Sequence, residues 1–419
     1  MDHFQLRDGV LHAEDVPLPR IAEKVGTPVY IYSRATLVRH ARVFREALRD
    51  LDNPHIAFAV KANPNLAVLK VLQREGYGAD VVSGGELVRA LAADMPPRDV
   101  VFSGVGKTHD ELLQGLEADI GQFNIESEEE GHELAAIAAR HGKTARCTLR
   151  VNPDVDARTH EKISTGRAEN KFGVPIDRAR EIYANLASLD GLDLRGIAVH
   201  IGSQLASLEP LETAFIKVGK LVGELRANGL KVTHVDLGGG LGVPYKTGDD
   251  VPSPAEYGAM VARVTKGWDV ALAFEPGRVI AGNAGVLLTR VIRTKRSSNA
   301  SPFVVVDAAM NDLARPAMYG AWHDIEAVRP HGGRMIAHIV GPICETGDTF
   351  AMNREMDQID NGELAIFRTA GAYGATMASS YNSRGFVPEV LVDGDQFAVV
   401  ADRIAPSAIM DAERVPDWL

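Results

Sequence analysis

Six places in this chain set polar or glycine-rich residues directly after an apolar run. Lys61 follows IAFAV, Ser83-Gly84-Gly85-Glu86 follows GADVV, and Asn152 follows ARCTLRV. His200 closes LRGIAV, Gly238-Gly239-Gly240-Leu241-Gly242 follows VTHVDL, and Glu275-Pro276-Gly277-Arg278 closes VALAF. Each has a structural reading of its own. A lysine at a strand end commonly snorkels to solvent, a glycine cluster is commonly a tight turn, and Glu275 could pair with Arg278. The chemistry open to the same residues is more specific. A buried lysine loses its proton readily and forms an imine with an aldehyde. A run of small residues exposes backbone N–H groups to a phosphate. The flat ring of His200 suits a planar aromatic group, and a carboxyl such as Glu275 can hold a heteroaromatic nitrogen protonated, which makes the ring an electron sink. The glycine cluster stands too late in the chain to open a dinucleotide-binding unit, so a dinucleotide is the weaker candidate.

The elements that would position these residues are short β-rich runs alternating with helix-patterned segments. Strands are predicted at 55–60, 78–82, 99–103, 121–125, 145–151, 194–200, 232–237 and 270–275. Apolar residues at three- and four-residue spacing predict helices over 65–76, 85–94, 126–142 and 211–229, several ending in glycine as a helix C-terminus prefers. Eight strands separated by helical or long connections imply an eight-stranded parallel (β/α)8 TIM-like barrel, with a doubly wound open sheet as the alternative. In such a barrel chemistry sits at the C-terminal ends of the strands, where all six polar features fall. Beyond about residue 280 the apolar pattern has period two, which predicts a C-terminal antiparallel β domain. The strand-like TPVYIYS near the N-terminus would return to it. The expected domains are thus 34–279 for the barrel, and 1–33 with 280–419 for a β-sandwich or β-barrel-like domain.

Composition narrows the functional classes. The 419 residues carry a formal net charge of −11, with 45% hydrophobic and 24% charged residues. An acidic balance offers no electrostatic footprint for nucleic acid or an anionic membrane. No run approaches the roughly 18 apolar residues of a membrane span, and the acidic start does not read as a signal or transit peptide. Two cysteines argue against a disulfide framework and fit a reducing compartment, so a cytoplasmic protein is expected. No metal-ligand set is read from the chain.

The motifs FAVKAN (58–63), DVVSGGEL (80–87), HIGSQ (200–204), LGGGLG (237–242) and EPGR (275–278) resemble, in this order, those of the fold-type III pyridoxal-phosphate enzymes. Further segments are similar to the diaminopimelate decarboxylases within that group: 151–174, LARPAMYGAWHDI (313–325), GPICETGDTF (341–350) and GAYGATMASSYNSR (371–384). The resemblance implies a decarboxylase acting on meso-2,6-diaminopimelate, with pyridoxal 5'-phosphate held by Lys61 as a Schiff base. It implies that His200 stacks on the pyridine ring and Glu275 contacts its nitrogen. Ser203, Gly239, Gly240, Gly277, Arg278 and Tyr373 would hold the phosphate. Arg278, Arg315, Tyr319, Glu345 and Tyr373 would bind substrate, and Cys344 would be the catalytic acid. Cys344 and Glu345 in this family come from the neighbouring subunit, which implies a homodimer with shared sites. The substrate chemistry agrees: a zwitterion at the distal end suits two arginines and a carboxylate. Departures from the family pattern are SRGF at 383–386, where proline more often follows the arginine, and HEKIS at 160–164, where an aromatic often precedes the isoleucine. Ornithine, arginine or carboxynorspermidine decarboxylation, racemisation, and a non-catalytic regulatory role are the competing readings. Intact Lys61, Glu275 and Cys344 oppose the last of these.

Overall fold

A computed structural model describes residues 2–157, 159–167, 169–296 and 301–419. Arg158 and Ala168 of the 151–174 motif lie outside these residues. The chain divides into two compact units, Val38–Val243 with Asp250–Ile280, and Met1–Leu37 with Pro244–Asp249 and Ala281–Leu419.

The first unit is a closed parallel barrel. Its strands are β1 (His55–Ala59), β2 (Gly78–Val81), β3 (Val100–Phe102), β4 (Gln122–Ile125), β5 (Ala145–Asn152), β6 (Leu192–Val199), β7 (His234–Asp236) and β8 (Ala271–Phe274). Each pairs in parallel with the next, and β8 returns to β1 through Ala273 opposite His55 and Phe274 opposite Ile56. That closure removes the open-sheet alternative. A two-residue strand at Val174–Pro175 adds to β5 outside the ring, which the apolar pattern did not mark. Strands covered on both faces read as continuous apolar runs, and Ala57, Phe58, Ala79, Val81, Phe102 and Phe274 are fully enclosed.

Local signals set the intervening helices. Thr108 with Glu111 and Ser253 with Glu256 form capping boxes, and Ser127 accepts from the Glu130 N–H, each satisfying donors a helix start leaves orphaned. Gly76, Gly142 and Gly229 follow helix ends with left-handed φ of 73°, 62° and 76°, as a glycine C-terminus allows. The Ser83–Glu86 motif belongs to this scaffold. Ser83 caps the helix Gly84–Ala92, while the Glu86 carboxylate accepts from Val82 N–H at 2.9 Å. Asn152 has a similar part, donating to the Arg167 carbonyl at 2.7 Å and accepting from Asp154 N–H at 3.0 Å.

In the second unit Val29–Ser33, from TPVYIYS, does enter the sheet. It pairs antiparallel with Gly285–Lys295 and parallel with Glu389–Asp393. Phe303–Val306 and Arg334–Val340 are also parallel. The sheet is largely antiparallel, as expected, with parallel pairings at these two places. A strand from the start of the chain is free to run in either sense, because no hairpin joins it to its neighbours. Phe4–Arg7, Val10–Ala13 and Val16–Pro17 form a separate three-stranded sheet. Glu14, buried at the end of that sheet, accepts from Ser33 Oγ at 2.7 Å, Ala35 N–H at 2.8 Å and Gly394 N–H at 2.7 Å. Leu11, Ile21, Val29, Ile31, Val286, Leu288 and Val390 share the core beneath. Among the described residues no helix is long and apolar enough to cross a membrane.

Gly196 lets β6 lie against β7. A Cβ there would stand 1.7 Å from the His234 carbonyl oxygen, a backbone atom that cannot rotate away. Gly196→Ala is expected to lower stability by roughly 1–3 kcal/mol, measured as a drop in the denaturant midpoint. An unchanged midpoint would show that the strands separate at little cost.

Candidate active site

At the end of β1 the buried run passes into a 3-10 turn, Val60–Ala62, closed by Asn63 N–H on the Val60 carbonyl at 3.0 Å. Val60 and Ala62 point into the core, and Lys61 between them keeps about a third of its side chain accessible, at 34%. Its ammonium donates to Asp80 Oδ2 at 2.6 Å. Asp80 comes from β2 and is fully buried, and its other oxygen, Oδ1, has no hydrogen-bond partner among the described residues. Burying a carboxylate is costly without such a cation, so the pair fixes Lys61 at the mouth of the barrel.

Glu275, at the end of β8, is also buried. Its Oε1 accepts from Ser103 Oγ at 3.2 Å and Asn124 Nδ2 at 3.2 Å. Burial pushes this carboxyl well above the ordinary carboxylate range, and the nearby charges of Asp236 and Asp80 push it further; Lys61 and Arg150 oppose them. The His200 imidazolium is disfavoured first by burial and then by Arg150 and Lys61, so its pKa falls well below the usual histidine value. His200 Nδ1 accepts from Gly239 N–H at 3.2 Å, which leaves Nε2 as the protonated nitrogen of a neutral ring.

The glycine cluster after β7 is shaped by its neighbours. Gly238 and Gly240 take left-handed φ of 66° and 112°, which glycine adopts without penalty. Cβ atoms would stand 2.2 Å from the Glu275 carbonyl oxygen at Gly239 and 2.5 Å from the Gly202 carbonyl oxygen at Gly240. The turn is laced to both flanking strands, by Glu275 N–H to Gly238 O at 2.8 Å and Leu205 N–H to Gly240 O at 3.0 Å. Beside it, Arg278 donates to Ser203 Oγ through Nη2 at 3.1 Å and Nε at 3.4 Å. Gly277 allows the EPGR segment to press on the Lys61 turn: a Cβ there would be 3.0 Å from those of both Ala59 and Ala62, and Ala59 N–H bonds the Pro276 carbonyl at 3.1 Å.

Lys61, His200, Ser203, Gly239, Gly240, Glu275, Gly277 and Arg278 thus gather at the C-terminal ends of β1, β6, β7 and β8. The remaining expected residues lie in the second unit. Arg315 and Tyr319 share the one-turn helix Arg315–Tyr319, four residues apart and so on one face. The Arg315 guanidinium is buried, 3.0 Å from His323 Nε2 and 4.3 Å above the Tyr245 ring. Cys344 and Glu345 stand exposed on a turn. Asp348 holds that turn, accepting from Met310 N–H at 2.6 Å and Ile343 N–H at 2.7 Å. Cys344 is therefore not the small buried hydrophobe that an isolated cysteine usually is. Cys147 has that environment, and burial raises its thiol. Tyr373 is half-buried with φ of 54°, a conformation a bulky residue holds only where its surroundings impose it.

Sequence reasoning missed Asp80, Ser103, Asn124 and Asp236. Each is a polar residue inside or ending an apolar strand. That was the available signal, although a strand's alternation does not say whether such a residue faces helices or the barrel interior.

Comparison with known proteins agrees with this geometry. Residues 34–282 match the family described as pyridoxal-dependent decarboxylase, pyridoxal binding domain. The diaminopimelate decarboxylase of Zymomonas mobilis is 50% identical over 99% of this chain and 99% of its own length. That of Pseudomonas aeruginosa is 51% identical over 94% of this chain and 95% of its own. The crystal structure of diaminopimelate decarboxylase from M. jannaschii in co-complex with L-lysine superposes with a TM-score of 0.95 at 33% identity, covering 100% of this chain and 99% of that one. Half the residues shared over nearly the full length, on a barrel whose span is the family's pyridoxal-binding domain, mean that this chain belongs to the diaminopimelate decarboxylase family of pyridoxal-dependent decarboxylases.

Proposed function

We infer that this chain decarboxylates meso-2,6-diaminopimelate to L-lysine and CO2, the last step of lysine biosynthesis, using pyridoxal 5'-phosphate bound through Lys61. The observation that carries this reading is the convergence of Lys61, His200, Glu275 and the Ser203–Arg278 pair on one barrel mouth around a glycine turn. The residues fit the cofactor. At Gly239 and Gly240 any Cβ would collide with backbone carbonyls, so the backbone there stays bare for a phosphate to approach, with Gly239 N–H turned to His200 Nδ1. Arg278 and Ser203 add side-chain donors, Glu275 is an acid for a ring nitrogen, and neutral His200 is a flat surface for a ring. When bound, pyridoxal phosphate supplies an electron sink for the carbanion left by departure of CO2.

The chain's own residues do the rest. Lys61 would hold the cofactor, and beside Asp80 at 2.6 Å its amine, when free, can carry a proton on Nζ. Arg278, Arg315 and Tyr319 bind the distal carboxylate and Glu345 the distal ammonium, while Tyr373 serves both phosphate and substrate. Reading both charges of the distal centre separates diaminopimelate from ornithine, whose distal group is an ammonium alone. Cys344 supplies the proton to the reacting carbon. Its exposure and that of Glu345 suit service to a neighbouring copy, which makes a homodimer the working assembly. We take 34–279 as the cofactor-binding domain, 1–33 with 280–419 as the β domain, and the cytoplasm as the working compartment.

Incubation with meso-diaminopimelate and pyridoxal phosphate is expected to release lysine and CO2; release of an amine from ornithine or arginine instead would replace the substrate assignment. Lys61→Ala should lose the absorbance of the lysine-bound cofactor together with nearly all turnover, and an unchanged spectrum would sink the role of Lys61. Cys344→Ala should retain the cofactor yet turn over at least about a hundredfold more slowly, the size of a lost general acid. Near-normal rates there would move the proton donor to another residue.

A further inference from the structure

The interior of the barrel carries a polar layer that the reaction as outlined does not use. Asp236, the last residue of β7, is fully buried. Its Oδ1 accepts from Gly238 N–H at 2.9 Å, and its Oδ2 from Gln122 Nε2 at 2.9 Å and Asn124 Nδ2 at 3.3 Å. The same Asn124 nitrogen is 3.2 Å from Glu275 Oε1, so one amide bridges the two carboxyls. Asn124 is itself held, its carbonyl oxygen accepting from Thr148 Oγ1 at 2.6 Å and Gln122 Nε2 at 2.8 Å. That fixes the amide orientation, with nitrogen toward the acids.

Charge accounting then decides the state of the pair. Lys61 is matched by Asp80 at 2.6 Å, and Arg150 by Glu126 at 2.5 Å. Two carboxyls remain in the layer, with amides and a hydroxyl around them and no cation of their own among the described contacts. Two carboxylates bridged by one amide in a buried layer repel each other strongly, which disfavours both being ionised.

We propose that Asp236 and Glu275 hold one proton between them, and that Asp236 is a positioning residue which orients Glu275 toward the barrel mouth and sets how strongly it holds a hydrogen there. When the proton moves from one carboxyl to the other, one O–H breaks, leaving its electron pair on that oxygen, and an O–H forms on the other. The pair keeps a single negative charge throughout. Burial raises both acids, and each is raised further by Asp80. Lys61, Asp80 and Arg150 are the other charged groups acting on Glu275, and His200 is neutral. For Glu275 the consequence rests on its assignment to the cofactor's ring nitrogen. The proton sharing does not.

Infrared spectra of the full chain, freed of cofactor and labelled with 13C in either aspartate or glutamate side chains, test the pair. At pH 8, where ordinary carboxyls are ionised, the unaltered chain should show a protonated-carboxyl band that shifts with either label. In Asp236→Asn the amide can still accept from Gly238 N–H, but the glutamate-sensitive band should titrate at least about one pH unit lower, because a neighbouring charge is gone. A merely structural Asp236 would leave that titration in place. Absence of the band in the unaltered chain, or an unmoved titration in the variant, overturns the proposal. The unaltered chain alone suffices if the variant does not fold. Since the readout needs neither cofactor nor substrate, failure to make lysine would leave the proton pair standing, and loss of the band would leave the lysine-forming reading intact.

Discussion

The site depends on one close approach of backbone to backbone, where the turn after β7 is wedged between the ends of β6 and β8. No side chain fits at Gly239, 2.2 Å short of the Glu275 carbonyl oxygen, or at Gly240, 2.5 Å from that of Gly202. Because the turn comes so near, its backbone bonds three of the site's residues at once. Gly238 N–H bonds Asp236 Oδ1, Gly239 N–H bonds His200 Nδ1, and Gly238 O accepts from Glu275 N–H. The turn is thus a clamp on two side chains through its amides and on the Glu275 backbone through its carbonyl. A substituent that pushed it outward would disturb all of these together.

Beneath this turn the barrel interior departs from the usual apolar packing. Asp80, Ser103, Asn124, Thr148, Asp236 and Glu275 come from β2, β3, β4, β5, β7 and β8 or their ends and are nearly inaccessible to solvent. Polar groups buried at such depth are tolerated only when hydrogen-bonded, and the network meets that condition almost throughout. The exception is Asp80 Oδ1, beside the ammonium of Lys61. Low dielectric makes every charge there strongly felt. His200 is kept neutral and Glu275 is kept able to hold a proton by the same burial.

Residues at strand ends were legible because two independent patterns meet there. An apolar run stops, and a residue with reactive chemistry follows, as at Lys61, His200 and Glu275. The glycine turn was legible for the same reason. Where a single pattern was present the reading was less complete. Ser83-Gly84-Gly85-Glu86 looked chemical by position and proved to be a helix cap, since Ser and Glu three residues apart satisfy helix N–H groups equally well. Asp80 and Asp236 sit within strands, and their facing depends on barrel closure, which no local spacing encodes. The direction of Val29–Ser33 was equally hidden, because its partners at 285–295 and 389–393 are hundreds of residues away.

The sequence by itself determined the order of strands and helices, the cap and C-terminal glycine of several helices, and the family-specific motifs from FAVKAN to SYNSR. These follow from periodicity and residue type, which are local. Only the tertiary structure decided which polar side chains meet: that Lys61 bonds Asp80, that Asn124 bridges Asp236 and Glu275, and that Arg278 grips Ser203. Such pairings need residues from different strands to converge in a ring, and it is closure of β8 onto β1 that brings them within hydrogen-bond distance.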